Sequence, residues 1–173
     1  MKTYLKKIIK PDDVIKIEGK YPRKKCKISM CHGVFDLVHP GHIRHLSYAK
    51  SMSDKLIVSI TSDVHVKKAQ LRPYVPEILR AENLAALEFV DYVIIDRRET
   101  PIENLKKIKP DFFVKGYEYS KNLKINSKTK EEMDILKSYG GKFLFTPGDY
   151  VLSSSKIIED ENPDLSFIKL KSL

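Results

Sequence analysis

Two histidines flank a Pro-Gly pair in the run His39, Pro40, Gly41 and His42. A strand-like apolar run that ends in a glycine precedes them, and helical spacing of apolar residues follows them. Unpaired backbone N–H groups and the helix dipole attract anions at such a helix start. Imidazole N–H groups beside them can donate to a phosphate as its negative charge grows. The run therefore indicates chemistry at a nucleotide phosphate.

Zinc binding is the competing interpretation of these histidines. His39 and His42 are three positions apart, so they can face one ligand. The sequence offers no third ligand at a suitable spacing, and Cys26 and Cys31 show no zinc-like pattern. We therefore predict no dedicated metal ligands. The two cysteines fit a reduced, cytoplasmic protein.

Three other groups of polar residues follow predicted strands. A polar loop carries Lys67 and Lys68, for which phosphate contact and plain solvation are both open. The serines Ser153, Ser154 and Ser155 open a predicted helix and offer hydroxyl and N–H groups, whereas a simple N-cap needs only one of them. Lys115 and Glu118 place a cation and a carboxylate together. A carboxylate there suits sugar hydroxyls or a bound magnesium ion.

Single residues in these loops have two interpretations each. Arg80 lies in a helix whose start points at the site, and an ion pair to Glu77 or Glu82 is its alternative. Gly33 lets the backbone approach a ligand, or is an ordinary turn glycine. Asp36 braces its loop or caps the coming helix.

Strands and helices alternate about five times along the chain. Strands are predicted at residues 27–31, 55–61, 91–95, 111–115 and 142–145. Helices are predicted at residues 41–51, 76–88, 101–107, 130–139 and 153–159, with polar loops at 62–75 and 121–129. This pattern is typical of an α/β fold, a Rossmann-like open parallel five-stranded sheet with helices on both faces. Ligands bind at the carboxyl ends of such strands, where the motifs fall.

Composition predicts a soluble globular protein, with 42% hydrophobic and 32% charged residues among 173. We expect an N-terminal polar extension at 1–26 with one short helix near 11–18, a catalytic domain at 27–160 and a tail at 161–173. The net charge of +9 comes from scattered lysines without interleaved aromatic residues, which favours small phosphate ligands over nucleic acid. No apolar run approaches the roughly 20 residues that span a bilayer, and no secretory signal is evident, so no membrane partner is expected.

The motifs together resemble the cytidylyltransferase-like nucleotidyltransferases from about residue 27 to 159. Residues 33–42 are similar to the family signature, the Arg72, Pro73 and Arg80 set to its Arg-Pro…Arg element, and residues 152–158 to its Ser-Thr-rich closing motif. The segments at 99–101, 109–111, 114–116 and 139–141 are most similar to the heptose-phosphate branch, the partner of a sugar kinase in ADP-heptose synthesis. Glycerol-phosphate cytidylyltransferases match less well after residue 96.

The resemblance implies that an oxygen of a sugar or polyol phosphate attacks the α-phosphorus of ATP or CTP and that pyrophosphate leaves. Magnesium would bridge the phosphates. Because the acceptor is itself a phosphate, no strong general base is needed, and catalysis is positioning and charge stabilisation. The resemblance also implies a homodimer and a sugar-kinase pathway partner.

The resemblance assigns roles residue by residue. His39 and His42 would stabilise the pentavalent transition state, and Lys67 or Lys68 would neutralise phosphate charge. The residues implied to bind the nucleotide are Gly33, Val34, Phe35, Gly41, Arg80, Lys115, Gly116, Ser153, Ser154 and Ser155. The residues implied to bind the acceptor are Asp36, Arg72, Tyr117 and Glu118.

The sequence departs from the family pattern around the acceptor. His32 stands where sugar-phosphate members often carry Asn, and Tyr117 and Glu118 stand where heptose members often carry Gly and Asp. These departures leave the base and the acceptor open. The alternatives are a glycerol-phosphate-type cytidylyltransferase, an FAD-synthetase-like adenylyltransferase and, more remotely, a non-catalytic nucleotide or nucleic-acid binder.

Overall fold

A computed structural model describes residues 3–66, 72–116 and 127–147. The described residues form a parallel sheet whose strands are β1 (Ile28–Gly33), β2 (Lys55–Thr61), β3 (Tyr92–Asp96), β4 (Phe112–Lys115) and β5 (Lys142–Phe145). The helices among them are α1 (Pro11–Glu18), α2 (Pro40–Ser51), α3 (Glu77–Ala85), α4 (Ile102–Ile108) and α5 (Ser127–Tyr139). Short 3-10 helices lie at Thr3–Lys7 and Asp63–His65. The predicted α/β fold is confirmed.

The strand order β3-β2-β1-β4-β5 puts β1 at the centre of the sheet. The chain runs outward from β1 to β3 and then returns to the other side of β1 with β4. The strand order therefore reverses between β1 and β4. In open parallel sheets the crevice at the carboxyl ends of two such strands is where ligands bind.

Two apolar clusters cover the two faces of the sheet. On one face, Val58 and Ile60 pack with Leu46 of α2 and Leu84 of α3. On the other face, the buried residues are Met30, Ile57 and Phe113 from the sheet with Val14, Leu105 and Leu136 from α1, α4 and α5. Helices thus lie on both faces, as the alternation of elements predicts.

Most of the observed elements differ from the predicted ones by one to three residues at one or both ends, and the helix predicted at 76–88 ends earlier, at Ala85. β2 and β5 match, whereas β1 starts one residue later than predicted and runs two residues further, to Gly33. The prediction of a polar loop up to residue 129 is wrong at its end, because Ser127–Tyr139 is helical and the side chain of Thr129 is buried in the first turn of α5. The predicted helix at 153–159 lies outside the described residues.

The described part of the N-terminal extension packs on the sheet. The predicted short helix is confirmed as α1, whose Val14 side chain is fully buried. Ile8 forms a parallel bridge to Val93, and the Ile9 N–H donates to the Val93 carbonyl at 3.0 Å. This segment covers part of the free edge of β3, which would otherwise expose unpaired backbone groups. The domain limits at 27 and 160 stay a prediction.

Candidate active site

The start of α2 holds His39 in a defined orientation. His39 is the N-cap residue, and its Nδ1 accepts a hydrogen bond from the Gly41 N–H at 3.1 Å. Because Nδ1 is an acceptor, the neutral ring carries its proton on Nε2. Burial lowers the pKa of His39, which favours that neutral ring. Its Nε2 is buried, and no hydrogen-bond partner for it lies in the part of the chain that the structure describes.

His42 is packed between two aromatic rings. Its ring stacks on that of His39 with centroids 3.8 Å apart, and Phe35 meets it edge-on at 5.0 Å. Phe35 is buried and has a φ of +50°, which turns its ring back over the end of β1. A Cβ at Gly33 would lie 3.1 Å from Phe35 Cε2, tighter than ordinary contact. Gly33 thus makes room for the ring that supports His42, and ligand approach at Gly33 stays a prediction.

Arg80 ties together the loops that follow β1 and β2. Its side chain is fully buried. The guanidinium donates to Val75 O (2.9 Å), Val34 O, Thr61 O (2.9 Å) and Asp63 Oδ1 (2.6 Å). The carboxylate partner of Arg80 is therefore Asp63, and the alternative of a pair with Glu77 or Glu82 is wrong. The geometry gives Arg80 a positioning role, and nucleotide contact by Arg80 stays a prediction.

Asp63 and Glu77 fix one end of the loop that carries the predicted lysines. The Glu77 N–H donates to Asp63 Oδ2 at 3.1 Å, and the Asp63 N–H donates to Glu77 Oε2 at 2.8 Å. This reciprocal pair satisfies a backbone donor at the start of α3, as a capping box does. The loop after β2 is thereby attached to the helix that carries Arg80.

Asp36 fixes the other end of the same loop. Its carboxylate accepts hydrogen bonds from the N–H groups of Tyr74 (3.1 Å) and Val75 (2.9 Å) and from Arg72 Nη1 (3.4 Å). The side chains of Asp36 and Arg72 are only 3% and 5% exposed, so this is a buried contact. Asp36 therefore braces the loop that precedes α3 rather than its own loop, and the cap of α2 is His39 instead of Asp36. Acceptor binding by Asp36 and Arg72 stays a prediction.

Lys115, at the carboxyl end of β4, has a partner that the sequence analysis missed. Its Nζ lies 2.5 Å from Glu132 Oε2 and 3.2 Å from Thr129 Oγ1, both on α5. Burial raises the pKa of Glu132, and the Lys115 ammonium opposes that rise. Glu132 precedes the core residue Leu136 by one helical turn, and this spacing is the signal that places the glutamate on a buried face.

His32 and His45, two further histidines near these residues, are bound by hydroxyl groups. His32 Nδ1 and Nε2 lie 3.0 Å and 3.2 Å from the Ser59 and Thr61 hydroxyls of β2. Burial, with a smaller contribution from the Lys115 charge, lowers the pKa of His32 to about 3. His45 Nδ1 lies 2.6 Å from Thr146 Oγ1, and burial lowers its pKa to about 4. Both rings are therefore neutral at physiological pH.

The described residues divide the predicted site into two groups. Around the carboxyl end of β1 the structure brings together Gly33, Val34, Phe35, Asp36, His39, Gly41, His42, Arg72 and Arg80. Lys115 and Gly116 lie at the end of the neighbouring strand β4. The predicted residues Lys67, Lys68, Tyr117, Glu118, Ser153, Ser154 and Ser155 lie outside the described residues.

Residues 3–66, 72–116 and 127–147 contain no helix long and apolar enough to cross a membrane. The same ranges contain no group of three or more His, Cys, Asp or Glu side chains that could hold a metal ion.

The parallel sheet and the helix start after β1 form the α/β arrangement that is expected of a nucleotidyltransferase domain. The chain belongs to the cytidylyltransferase-like family, whose family model matches residues 30–160. Among individual proteins, the chain is 38% identical over 144 residues to the bifunctional protein HldE of a Nitratiruptor species, a match that covers 82% of the chain and 31% of that protein. It is 40% identical over 135 residues to HldE of Campylobacter jejuni, covering 77% of the chain and 27% of that protein. The chain thus spans less than a third of the length of these curated relatives.

Two solved structures show the same fold. The lipopolysaccharide core biosynthesis protein from Thermoplasma volcanium superposes with a TM-score of 0.60 at 24% identity, covering 72% of this chain and 99% of that one. The pantoate-beta-alanine ligase from Francisella tularensis, complexed with beta-gamma ATP and beta-alanine, has a TM-score of 0.56 at 19% identity, covering 87% and 72%. At these identities the likeness concerns the fold alone.

Proposed function

We propose that this chain transfers the nucleotidyl group of a nucleoside triphosphate to a sugar phosphate, with a heptose phosphate as acceptor and ATP favoured over CTP. The observation that carries the proposal is the buried Nε2 of His39, which has no hydrogen-bond partner among the described residues. The His39 ring stacks on that of His42 at the start of α2. The similarity to the HldE proteins over most of the chain supports the choice of a heptose acceptor.

In the proposed reaction, an oxygen of the acceptor phosphate forms a bond to the α-phosphorus. The bond from that phosphorus to the bridging β-phosphate oxygen breaks, and pyrophosphate leaves with the electron pair. Because the acceptor oxygen is already anionic, no base needs to remove a proton. His39 donates through Nε2 to an α-phosphate oxygen as charge grows, and its cap bond and stacking hold the donor in place beforehand.

The other predicted residues, except Arg80, keep their assignments within this proposal. Lys67 or Lys68 neutralises phosphate charge, and the three serines Ser153, Ser154 and Ser155 hold the β- and γ-phosphates. Lys115 and Gly116 lie on the nucleotide side. Asp36, Arg72, Tyr117 and Glu118 border the acceptor, and we assign Arg80 to positioning because its donors are used within the protein.

Magnesium belongs to the proposal as an ion bridged by the phosphates. The groups at the start of α2 are N–H donors, which suit phosphate oxygens and not a cation. A bound magnesium ion would offset the charge of the triphosphate. The protein residues then bind and orient the phosphates through hydrogen bonds and lysine charge.

We further propose a cytoplasmic homodimer that acts after a sugar kinase. The resemblance to the heptose-phosphate branch supports the homodimer and the place after a sugar kinase, and the two cysteines fit a cytoplasmic protein. The matched relatives are called bifunctional, and the chain spans less than a third of their length, which leaves room in them for a second activity.

Pyrophosphate release tests the function directly. The chain is incubated with ATP or CTP, magnesium, and a panel of heptose phosphates, glycerol phosphate and flavin mononucleotide. We expect the fastest release with ATP and a heptose phosphate. Turnover only with glycerol phosphate or only with flavin mononucleotide would replace the heptose assignment, and a chain that turns over none of these pairs contradicts nucleotidyl transfer.

A further inference from the structure

A layer of polar side chains crosses the α4–α5 face of the sheet at the carboxyl ends of its strands. Its members from the strands are Lys115 on β4, His32 on β1, and Ser59 and Thr61 on β2, and Thr129 and Glu132 join it from α5. The residues below it on the same face are apolar, among them Met30, Ile57 and Phe113. The layer therefore separates the apolar core from the end of the sheet where the proposed site lies.

Among the members of this layer, the Lys115–Glu132 ion pair carries the largest desolvation penalty, because both of its groups are charged. The two side chains are 11% and 5% exposed, so both charges have lost most of their hydration. Replacing such a pair with apolar residues of similar size is often neutral or stabilising, whereas removing one partner is strongly destabilising. Stability alone is thus a weak reason for the presence of the pair. Its position at the crevice between β4 and β1 suggests a role in the proposed site.

The position of the ammonium group points toward the proposed site. Lys115 follows Val114, which pairs in register with Cys31, so Lys115 and His32 occupy neighbouring positions at the strand ends. His32 lies directly before Gly33, where the loop to His39 begins. Besides burial, the charge of Lys115 also lowers the pKa of His32, which agrees with these neighbouring positions.

We propose that Glu132 is a positioning residue for nucleotide binding: it holds the Lys115 ammonium, together with the Thr129 hydroxyl, at the carboxyl end of β4, where that charge faces the bound nucleotide. This inference rests on the proposed function. Glu132 acts through Lys115 and does not itself touch the substrate. Because Glu132 belongs to α5, the orientation of this helix is coupled to the placement of the cation.

A purely structural pair would merely attach α5 to the sheet. In that case, substitutions at either residue change the free energy of unfolding, and the affinity for nucleotide follows only through the loss of folded protein. A positioning pair instead changes nucleotide affinity in the folded protein. The effects of the two substitutions on nucleotide affinity should then not add, since Glu132 has nothing to position once Lys115 is replaced.

The experiment compares Glu132→Gln, Lys115→Met and the double variant Lys115→Met/Glu132→Gln with the wild type. Calorimetric binding of ATP with magnesium, KM and kcat of transfer, and urea unfolding are measured for each. We expect Glu132→Gln to weaken ATP binding and raise KM by about tenfold, as for the loss of a charged hydrogen-bond partner. In the Lys115→Met background, Glu132→Gln should change neither the affinity for ATP nor KM any further. The matched control is Glu131→Gln, an exposed glutamate one position earlier on α5, which should bind ATP as the wild type does.

An apolar double variant, Lys115→Met/Glu132→Leu, separates stability from function and serves if the single variant does not fold. We expect it to unfold at a urea concentration at least as high as the wild type and still to bind ATP about tenfold more weakly. ATP affinity equal to the wild type in that variant overturns the inference. The inference is also overturned if Glu132→Gln weakens ATP binding equally in the wild type and in the Lys115→Met background.

The same measurements keep the two proposals apart. A wild type that binds ATP but transfers no nucleotidyl group contradicts the proposed function alone, because the binding data still decide the role of Glu132. A wild type that binds no nucleotide contradicts both.

Discussion

Four of the five histidines of this chain form two pairs with opposite surroundings. His39 and His42 stack at the start of α2, and the buried Nε2 of His39 has no hydrogen-bond partner among the described residues. His32 and His45 lie close by, but hydroxyl groups bind them, and burial lowers their pKa values to about 3 and about 4. In the proposed function the first pair supplies a donor for the nucleotide, whereas the second pair is part of the scaffold.

The neighbours of each ring, and not the residue type, cause this difference. The strand β2 supplies Ser59 and Thr61 on the side of His32, so both ring nitrogens are used inside the protein. His39 follows the loop after β1 and uses only Nδ1, to cap its own helix. The comparison therefore predicts that substitutions in the scaffold change stability and that substitutions at the start of α2 change catalysis.

Arg80 is the scaffold residue whose loss should have the largest effect. Arg80→Met leaves three backbone carbonyls and the partly exposed Asp63 carboxylate without their donor, and we expect the unsatisfied carbonyls to cost about 3–5 kcal/mol of unfolding free energy. Arg97→Met is the matched control, because Arg97 pairs with Glu77 in the same network but is 66% exposed. That control should cost less than about 1 kcal/mol. Urea unfolding measures both, and equal losses would contradict the positioning role of Arg80.

The reverse result is expected at the start of α2. His39→Asn keeps a side-chain acceptor for the Gly41 N–H but removes the Nε2–H donor. We expect kcat to fall by about 10²–10³, as for the loss of one donor to a developing oxyanion, with stability changed little. His32→Asn, which alters a ring of the scaffold pair, should lower kcat much less. Steady-state kinetics check both variants, and equal losses of kcat would remove the distinction between the pairs.

The pH dependence of stability tests the scaffold pair more finely. The folded pKa of His32 is lowered to about 3 from an ordinary value of about 6.5, so below pH 6.5 the unfolded chain binds a proton that the folded chain does not. Stability from this group is therefore complete above pH 6.5 and is lost as the pH falls toward 3, by up to about 1.4 kcal/mol per pH unit. His45 adds a similar loss down to about pH 4.

The matched variant is His32→Asn, which removes one of these two titrations. Between pH 6 and 4, its unfolding free energy should fall less steeply than that of the wild type. The difference in slope should be up to about 1.4 kcal/mol per pH unit, which corresponds to one proton. Urea unfolding at several pH values measures the slopes. Parallel slopes would mean that His32 is not held neutral in the folded protein.

Much of the fold could be predicted from the sequence, because it follows from local patterns. The apolar run of β2 and the two glycines after α5 mark element ends without any knowledge of the tertiary structure. The helix start at residues 39–42 was found for the same reason, since capping and the Pro-Gly pair are local signals.

The contacts that shape the site are not local, and local sequence patterns do not predict them. Asp63 and Arg80 are 17 positions apart, and Lys115 and Glu132 are brought together only by the packing of α5 on the sheet. A sequence pattern indicates that an arginine lies near a site. It does not show whether the guanidinium donates to a ligand or to acceptors within the protein. For Arg80 the nearest carboxylates in sequence were the wrong partners, because its helix aims the guanidinium inward at the loop after β2.

The smallest effect concerns the second role of His39, that of the N-cap. His39→Ala removes both the Nε2–H donor and the acceptor for the Gly41 N–H, whereas His39→Asn removes only the donor. We expect the alanine variant to be about 1 kcal/mol less stable than the asparagine variant. If catalysis depends on the ring and stability on the cap, the two variants should have the same low kcat but different midpoints of urea unfolding. A large further drop of kcat in His39→Ala would show that the cap also orients the catalytic groups, because His42 lies in the first turn of the helix that the cap begins.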